Sequence, residues 1–101
     1  MMKSPENCKS IHDVRAAIDE LDEQIISLFG KRFRYVKEIV KFKEKNEESI
    51  VAKERREAVI ESRRKLAVEN GLNPDVIENL YRNLISHFIE EELKLIKDEG
   101  K

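Results

Sequence analysis

The chain has 101 residues, 41% charged and 40% hydrophobic, with 20 Lys and Arg against 21 Asp and Glu for a formal net charge of -1. That length is one domain, residues 1–101, and the balanced charge argues against a dedicated nucleic-acid binder, while the periodic apolar residues argue against disorder. One cysteine, Cys8, excludes an internal disulfide framework, and His12 and His87 are too few and too far apart to suggest a metal site.

The segment Met1 to Ser10 has no apolar core of a signal peptide, and no run approaches the ~18 apolar residues of a membrane span. A soluble cytoplasmic protein is expected. The first predicted element starts at Ser10, where Asp13 completes a plausible capping box. From Ile11 to about Lys45 the pattern is helical and no proline interrupts it. Val14, Leu21, Leu28, Tyr35 and Phe42 recur every seven residues, with Ile18, Ile25 and Ile39 in a second row and Phe29 and Val36 in a third. A loop is expected at Asn46 to Ser49.

The second helix is predicted from about Val51 to Asn70. Val59, Ile60 and Leu66 are its main apolar residues, so much of it should face water. Asn70-Gly71 should end it, the glycine taking the left-handed position. Asn73-Pro74 should open the third helix as cap and first turn. That helix carries Val76, Ile77, Leu80, Tyr81, Leu84, Ile85, Phe88, Ile89, Leu95 and Ile96, and ends near Asp98. No strand signal appears, so the fold class is all-α with three helices.

The first helix, at roughly 35 residues and 1.5 Å each, is about 52 Å long. A compact domain of this size has a radius of gyration of about 13 Å. The helix therefore overshoots any monomer the remaining residues could wrap. A second copy is the economical cover for its wide stripe, giving an intertwined homodimer.

Several charges sit inside that stripe. On a seven-residue count Arg15 shares a row with Asp22, Phe29, Val36 and Lys43, and Arg32 shares one with Ile18, Ile25 and Ile39. Burying unpaired charge is expensive. Either each cation has an internal carboxylate partner or a route to water along its long stem, or the three line a cavity that receives an anion. Arg32 and Lys43 lie about 16 Å apart along one face and can bracket a small dianion. Arg15 is about 25 Å from Arg32, so it would close such a site only across an antiparallel dimer, which implies two composite sites.

On the third helix Glu92 aligns with Tyr81, Ile85 and Phe88. It either faces the anion pocket or belongs with Glu90 and Glu91 to a solvated acidic run. Arg55 and Arg56 on the second helix are either site cations or plain surface.

These residues resemble a known family. The run Val14-Arg15-Ala16-Ala17-Ile18-Asp19-Glu20-Leu21-Asp22 is similar to the opening of the all-helical (AroQ-class) chorismate mutases. Their pattern has a second arginine seventeen residues after the first and a lysine eleven beyond that. Arg15, Arg32 and Lys43 match both spacings, and Arg55 matches the family's arginine on the second helix. Glu92 falls where the family has glutamine or, in some members, glutamate. Within the family the likeness is nearer to the isochorismate pyruvate lyases of salicylate-siderophore pathways. Ser4-Pro5-Glu6-Asn7-Cys8, Arg34-Tyr35-Val36-Lys37, Lys41-Phe42-Lys43 and Glu69-Asn70-Gly71-Leu72 carry it. Dedicated mutases flank the second-helix arginine with an Asp and a Glu that receive the ring hydroxyl. Ala52 and Arg56 stand there instead. Glu92 departs from the lyases, which have glutamine.

The resemblance implies a pericyclic enzyme acting on an enolpyruvyl ether with two carboxylates, without a metal or cofactor. It implies a small-molecule dianion and a second copy of the chain as its partners, with no nucleic acid or membrane. The lyase and the mutase both remain open, as does a helical dimerisation module as a distant third. Arg15 from the partner subunit and Arg32 are expected on the carboxylates, with Arg55 assisting. Lys43 is expected on the ether oxygen or the adjacent carboxylate. Glu92 would donate to that oxygen only when protonated, a form that burial and nearby carboxylates favour.

Overall fold

The computed structural model describes residues 4–42 and 52–99. Its elements are helical throughout that range: a 3-10 turn at Pro5–Asn7, then α1 (Ile11–Ile39), α2 (Lys53–Glu69) and α3 (Pro74–Glu99), with no strand among the described residues. The chain divides into two compact units, Met1–Tyr35 and Val36–Lys101.

The first unit holds most of α1. Ser10 caps the helix as predicted, its Oγ accepting the Asp13 N–H at 3.1 Å. The Asp13 carboxylate reaches back to the Lys9 N–H at 3.0 Å, one residue before the cap. Local chemistry thus sets the start of α1. At 29 residues it extends about 44 Å. No residue of α1 is buried. Val14, Ile18, Leu21, Ile25 and Leu28 are all exposed, and Tyr35 is 76% exposed. Gly30 lies inside the helix, with open space where a Cβ would be.

The helix stops earlier than the sequence pattern predicts. Lys41 N–H donates to Glu38 O at 3.1 Å and Phe42 N–H to Ile39 O at 2.9 Å, the tighter three-residue bonding of a closing turn. This turn accompanies the burial of Val40, which is 4% exposed. Residues 43–45, the expected remainder of the helix, lie outside the described residues, as does the expected loop at Asn46 to Ser49.

In the second unit α2 and α3 form an antiparallel hairpin. Ala52 precedes α2 in a left-handed conformation, φ 41°, and offers no side-chain cap. Glu54 sits in the first turn, where the helix dipole favours an acid. One stripe of α2 is turned inward: Val59, Ile60 and Ala67 are buried, and Arg56 and Arg63 are half-buried. Those positions are three or four residues apart, the spacing of one helical face.

The end of α2 follows the prediction. Leu72 N–H donates to Ala67 O at 2.8 Å and Gly71 N–H to Val68 O at 3.1 Å. This is the Schellman arrangement, and Gly71 takes φ 73°, which a glycine adopts without a Cβ penalty. Asn73 then caps α3, its Oδ1 accepting the Asp75 N–H at 2.8 Å. The reversal between the helices is therefore written locally into Asn70 to Pro74.

Candidate active site

Arg15 lies in the second turn of α1 and is exposed. Arg32 lies farther along the same helix and is half-buried, with its Nη1 buried. The two Cα positions are separated by about 25 Å of helix. No single small molecule touches both within one α1. Lys43 lies outside the described residues.

Glu92 is 5% exposed on α3. Its two neighbours in the acidic run behave differently. Glu90 is exposed, and Glu91 is half-buried with its carboxylate 3.5 Å from Lys94 Nζ. The run is thus not one solvated patch. Tyr81, Ile85 and Phe88, the residues predicted to align with Glu92, are each half-buried. Burial thus sets Glu92 apart from its two neighbours, on a stripe that is otherwise aromatic and aliphatic.

The adjacent arginines of α2 also separate. Arg55 is exposed, whereas Arg56 is half-buried and its Nε is buried without a hydrogen bond.

A second charged cluster, which the sequence reading did not single out, ties α2 to α3. Arg82 grips Glu57 with two bonds, Nη1–Oε2 at 3.0 Å and Nη2–Oε1 at 3.1 Å. Its Nε donates to Glu78 Oε2 at 2.8 Å. Arg64 donates to the other Glu78 oxygen and to Asp75 Oδ1, both at 2.8 Å. The hydrogen bonds from Arg82 hold both Glu57 and Glu78 below the usual carboxylate range. Arg64 and Arg82 are pushed up in turn, Arg64 chiefly by Asp75 and Arg82 chiefly by Glu57. Beside them Arg63 lies over the Tyr81 ring, 5.7 Å from its centroid. The four-residue spacing of Glu78 and Arg82 was a visible signal for part of this cluster. Its reach to Glu57 and Arg64 depends on the pairing of the helices.

The cluster is self-satisfied and reads as a clamp. An open hollow lined by Glu61, Arg64, Lys65, Val68, Glu69 and Pro74 lies beside it and contains none of the predicted site residues. Among the described residues no group of His, Cys, Asp and Glu is arranged to hold a metal ion. Among the described residues no helix is long and apolar enough to cross a membrane.

Comparison with known proteins covers nearly the whole chain. The family model for chorismate mutase type II matches residues 14–93, a span that includes parts of all three helices. The isochorismate pyruvate lyase of Pseudomonas aeruginosa is 40% identical over 93 residues, covering 92% of this chain and 91% of that protein. A T-protein of Haemophilus influenzae is 35% identical over 77 residues, 76% of this chain but 20% of the relative. A bifunctional chorismate mutase/prephenate dehydratase of Buchnera aphidicola is 30% identical over 82 residues, 81% of this chain and 21% of the relative.

Proposed function

The chain belongs to the chorismate mutase type II family, and from that membership we propose that it is an isochorismate pyruvate lyase with chorismate mutase side activity. The observation that carries this reading is the match to the Pseudomonas lyase, which runs almost end to end in both proteins. The relatives of other description share only about a fifth of their length with it.

The reaction cleaves the ether C–O bond of isochorismate. One hydrogen passes from the ring to the enolpyruvyl methylene, so the ring becomes salicylate and the side chain becomes pyruvate. Nothing enters or leaves besides these atoms. The protein's work is to hold a flexible dianion in its reactive shape and to stabilise charge on the breaking bond. In this reading Arg32 and Arg15 of the partner subunit bind the two carboxylates, because a guanidinium meets a carboxylate with two parallel bonds. Arg55 assists. Lys43 donates to the ether oxygen or the neighbouring carboxylate. Glu92 donates to that oxygen as the neutral acid, and its burial on α3 supports a place away from water.

A homodimer with shared sites is part of the proposal. Its support is the exposed apolar stripe of α1. Covering the half-exposed part of each such side chain recovers roughly 1 kcal/mol. The reading places the enzyme in the cytoplasm on a route to salicylate.

A dedicated chorismate mutase, converting chorismate to prephenate, is the second reading. It is favoured by Glu92 in place of glutamine and by the likeness to a bifunctional protein whose name includes chorismate mutase. The deciding experiment supplies purified protein with isochorismate and chorismate separately. Salicylate and pyruvate in equal amounts are expected from the first. Prephenate from chorismate, with isochorismate left intact, would overturn the lyase reading in favour of the mutase.

A further inference from the structure

The start of α2 has little local support. Ala52 precedes it in a left-handed conformation, φ 41°, which is sterically unfavourable for alanine, and no side chain caps the helix. From Lys53 to Ala58 every residue is exposed except half-buried Arg56. The first buried apolar residue of α2 is Val59. A helix end with neither a cap nor apolar burial frays, because its first turn has few bonds to hold it.

The clamp supplies what this end lacks. Glu57 lies in the second turn, and Arg82 on α3 grips both its oxygens, at 3.0 and 3.1 Å. Arg82 is itself fixed, since its Nε donates to Glu78 Oε2, one turn earlier on α3, at 2.8 Å. All three guanidinium nitrogens of Arg82 are thus engaged, and its planar fork has one orientation. Arg64, two turns after Glu57 on α2, holds the other Glu78 oxygen at 2.8 Å. The four side chains form a ladder with two rungs between the helices, Glu57–Arg82 and Arg64–Glu78, and Arg82 joins the rungs.

Arg55 lies two residues before Glu57 and is exposed. Successive helical residues project about 100° apart, so Arg55 points roughly 200° away from the gripped face. The grip on Glu57 therefore reaches Arg55 through the backbone of a single turn. In the function proposed above, on which this inference rests, Arg55 assists in binding a substrate carboxylate. We infer that Arg82 is a positioning residue: through Glu57 it fixes the first turns of α2, and so the place from which Arg55 meets the substrate. Without the grip the substrate itself has to order that end of the helix as it binds, which weakens binding. A carboxylate is held alike before and during bond cleavage, so the loss falls on KM and not on kcat.

The test measures kcat and KM on whichever isomer the wild type turns over, which keeps it separate from the choice between lyase and mutase. Arg82→Met keeps the aliphatic stem and removes the fork. KM should rise about tenfold with kcat nearly unchanged, while helical content and melting stay close to wild type. Glu57→Ala should give the same split, and it serves should the Arg82 variant not fold. The deciding arm is a double-mutant cycle. In an Arg55→Met background, whose own KM is raised, Arg82→Met should add no further rise, because the residue it positions has gone. The same rise repeated in that background would make Arg82 a structural residue and overturn the inference. An unchanged KM in Arg82→Met would overturn it too. A wild type inactive on both isomers would end the proposed function and this inference with it. An active wild type whose Arg55→Met variant binds substrate normally would end the positioning role alone.

Discussion

The α2–α3 hairpin and helix α1 are built from similar residues but held in different ways. The hairpin closes on itself. A Schellman turn at Gly71 and an asparagine cap at Asn73 set the reversal, Val59, Ile60 and Ala67 are buried, and Arg82 and Arg64 join the helices through three carboxylates. Helix α1 has a well-formed start and a wide apolar stripe, yet no buried residue. The difference shows where each region's stability resides. The hairpin carries its own partners in its sequence, whereas α1 carries a surface whose energy is realised only when something covers it.

This contrast is broken most severely by the charges on the uncovered side. If the cations of the α1 stripe serve substrate and not folding, Arg32→Ala and Lys43→Ala should each lower kcat/KM by about a hundredfold or more. Helical content and dimerisation should be retained, read by circular dichroism and sedimentation. Near wild-type turnover in either variant would return the stripe's charges to simple salt bridging.

A second experiment asks whether the cover of α1 is another copy of the chain. Inactive Arg15→Ala and inactive Lys43→Ala chains are unfolded together and refolded as a mixture. One hybrid site per heterodimer is then intact, so part of the activity should return. Heterodimers that form and stay inactive would remove Arg15 from the partner's site.

Within the hairpin, Glu92 is the buried carboxyl whose role the proposed reaction tests. If it donates to the ether oxygen it works only as the neutral acid, so activity should fall as pH rises and the proton is lost. Glu92→Gln donates at every pH and should flatten that profile while keeping activity near neutrality. Superimposable profiles would place Glu92 in the hairpin's packing alone.

The two glycines sharpen the contrast at about 1 kcal/mol. Gly71→Ala should destabilise by about that amount, since nothing crowds the new Cβ but φ 73° is unfavourable for alanine. Gly30→Ala, in a helix interior with open space around it, should stabilise by a similar amount. Thermal melts of both variants check the signs. A loss at Gly30 would show that the dimer packs against that face of α1.

The smallest effect is expected from the clamp, because its charges lie at the surface, Glu57 and Asp75 exposed and Arg64, Glu78 and Arg82 only half-buried. Glu57 and Glu78 bind protons less readily when folded, held down by Arg82. Their contribution is complete above the ordinary carboxylate value of 4.5 and is lost as pH falls through the lowered folded values. Acid melts of Glu57→Gln should show a shallower decline than wild type over that window. High salt should shrink the difference further. Equal slopes would mean that Arg82 does not clamp the helices in solution.

The amino-acid sequence by itself determined the elements and their joints. Ser10 with Asp13, Asn70-Gly71 and Asn73-Pro74 act through bonds only a few residues long, so the chain needs no distant contact to specify them. The seven-residue recurrence of α1 likewise exposes a stripe whatever surrounds it. Arg15, Arg32, Lys43, Arg55 and Glu92 were picked out by position and by resemblance to a family, and membership of that family holds. Which acid of Glu90, Glu91 and Glu92 turns inward was not written locally, because successive residues point about 100° apart and only the packing of α3 selects one. The same rotation separates exposed Arg55 from half-buried Arg56, and the pairing of α2 with α3 brings Glu57 to Arg82 across 25 residues of chain. The early end of α1 belongs to the same class, since the tightened turn at Ile39 goes with the burial of Val40. Local bonds choose where helices begin and turn, whereas burial is a property of two surfaces at once and is decided only when both are in place.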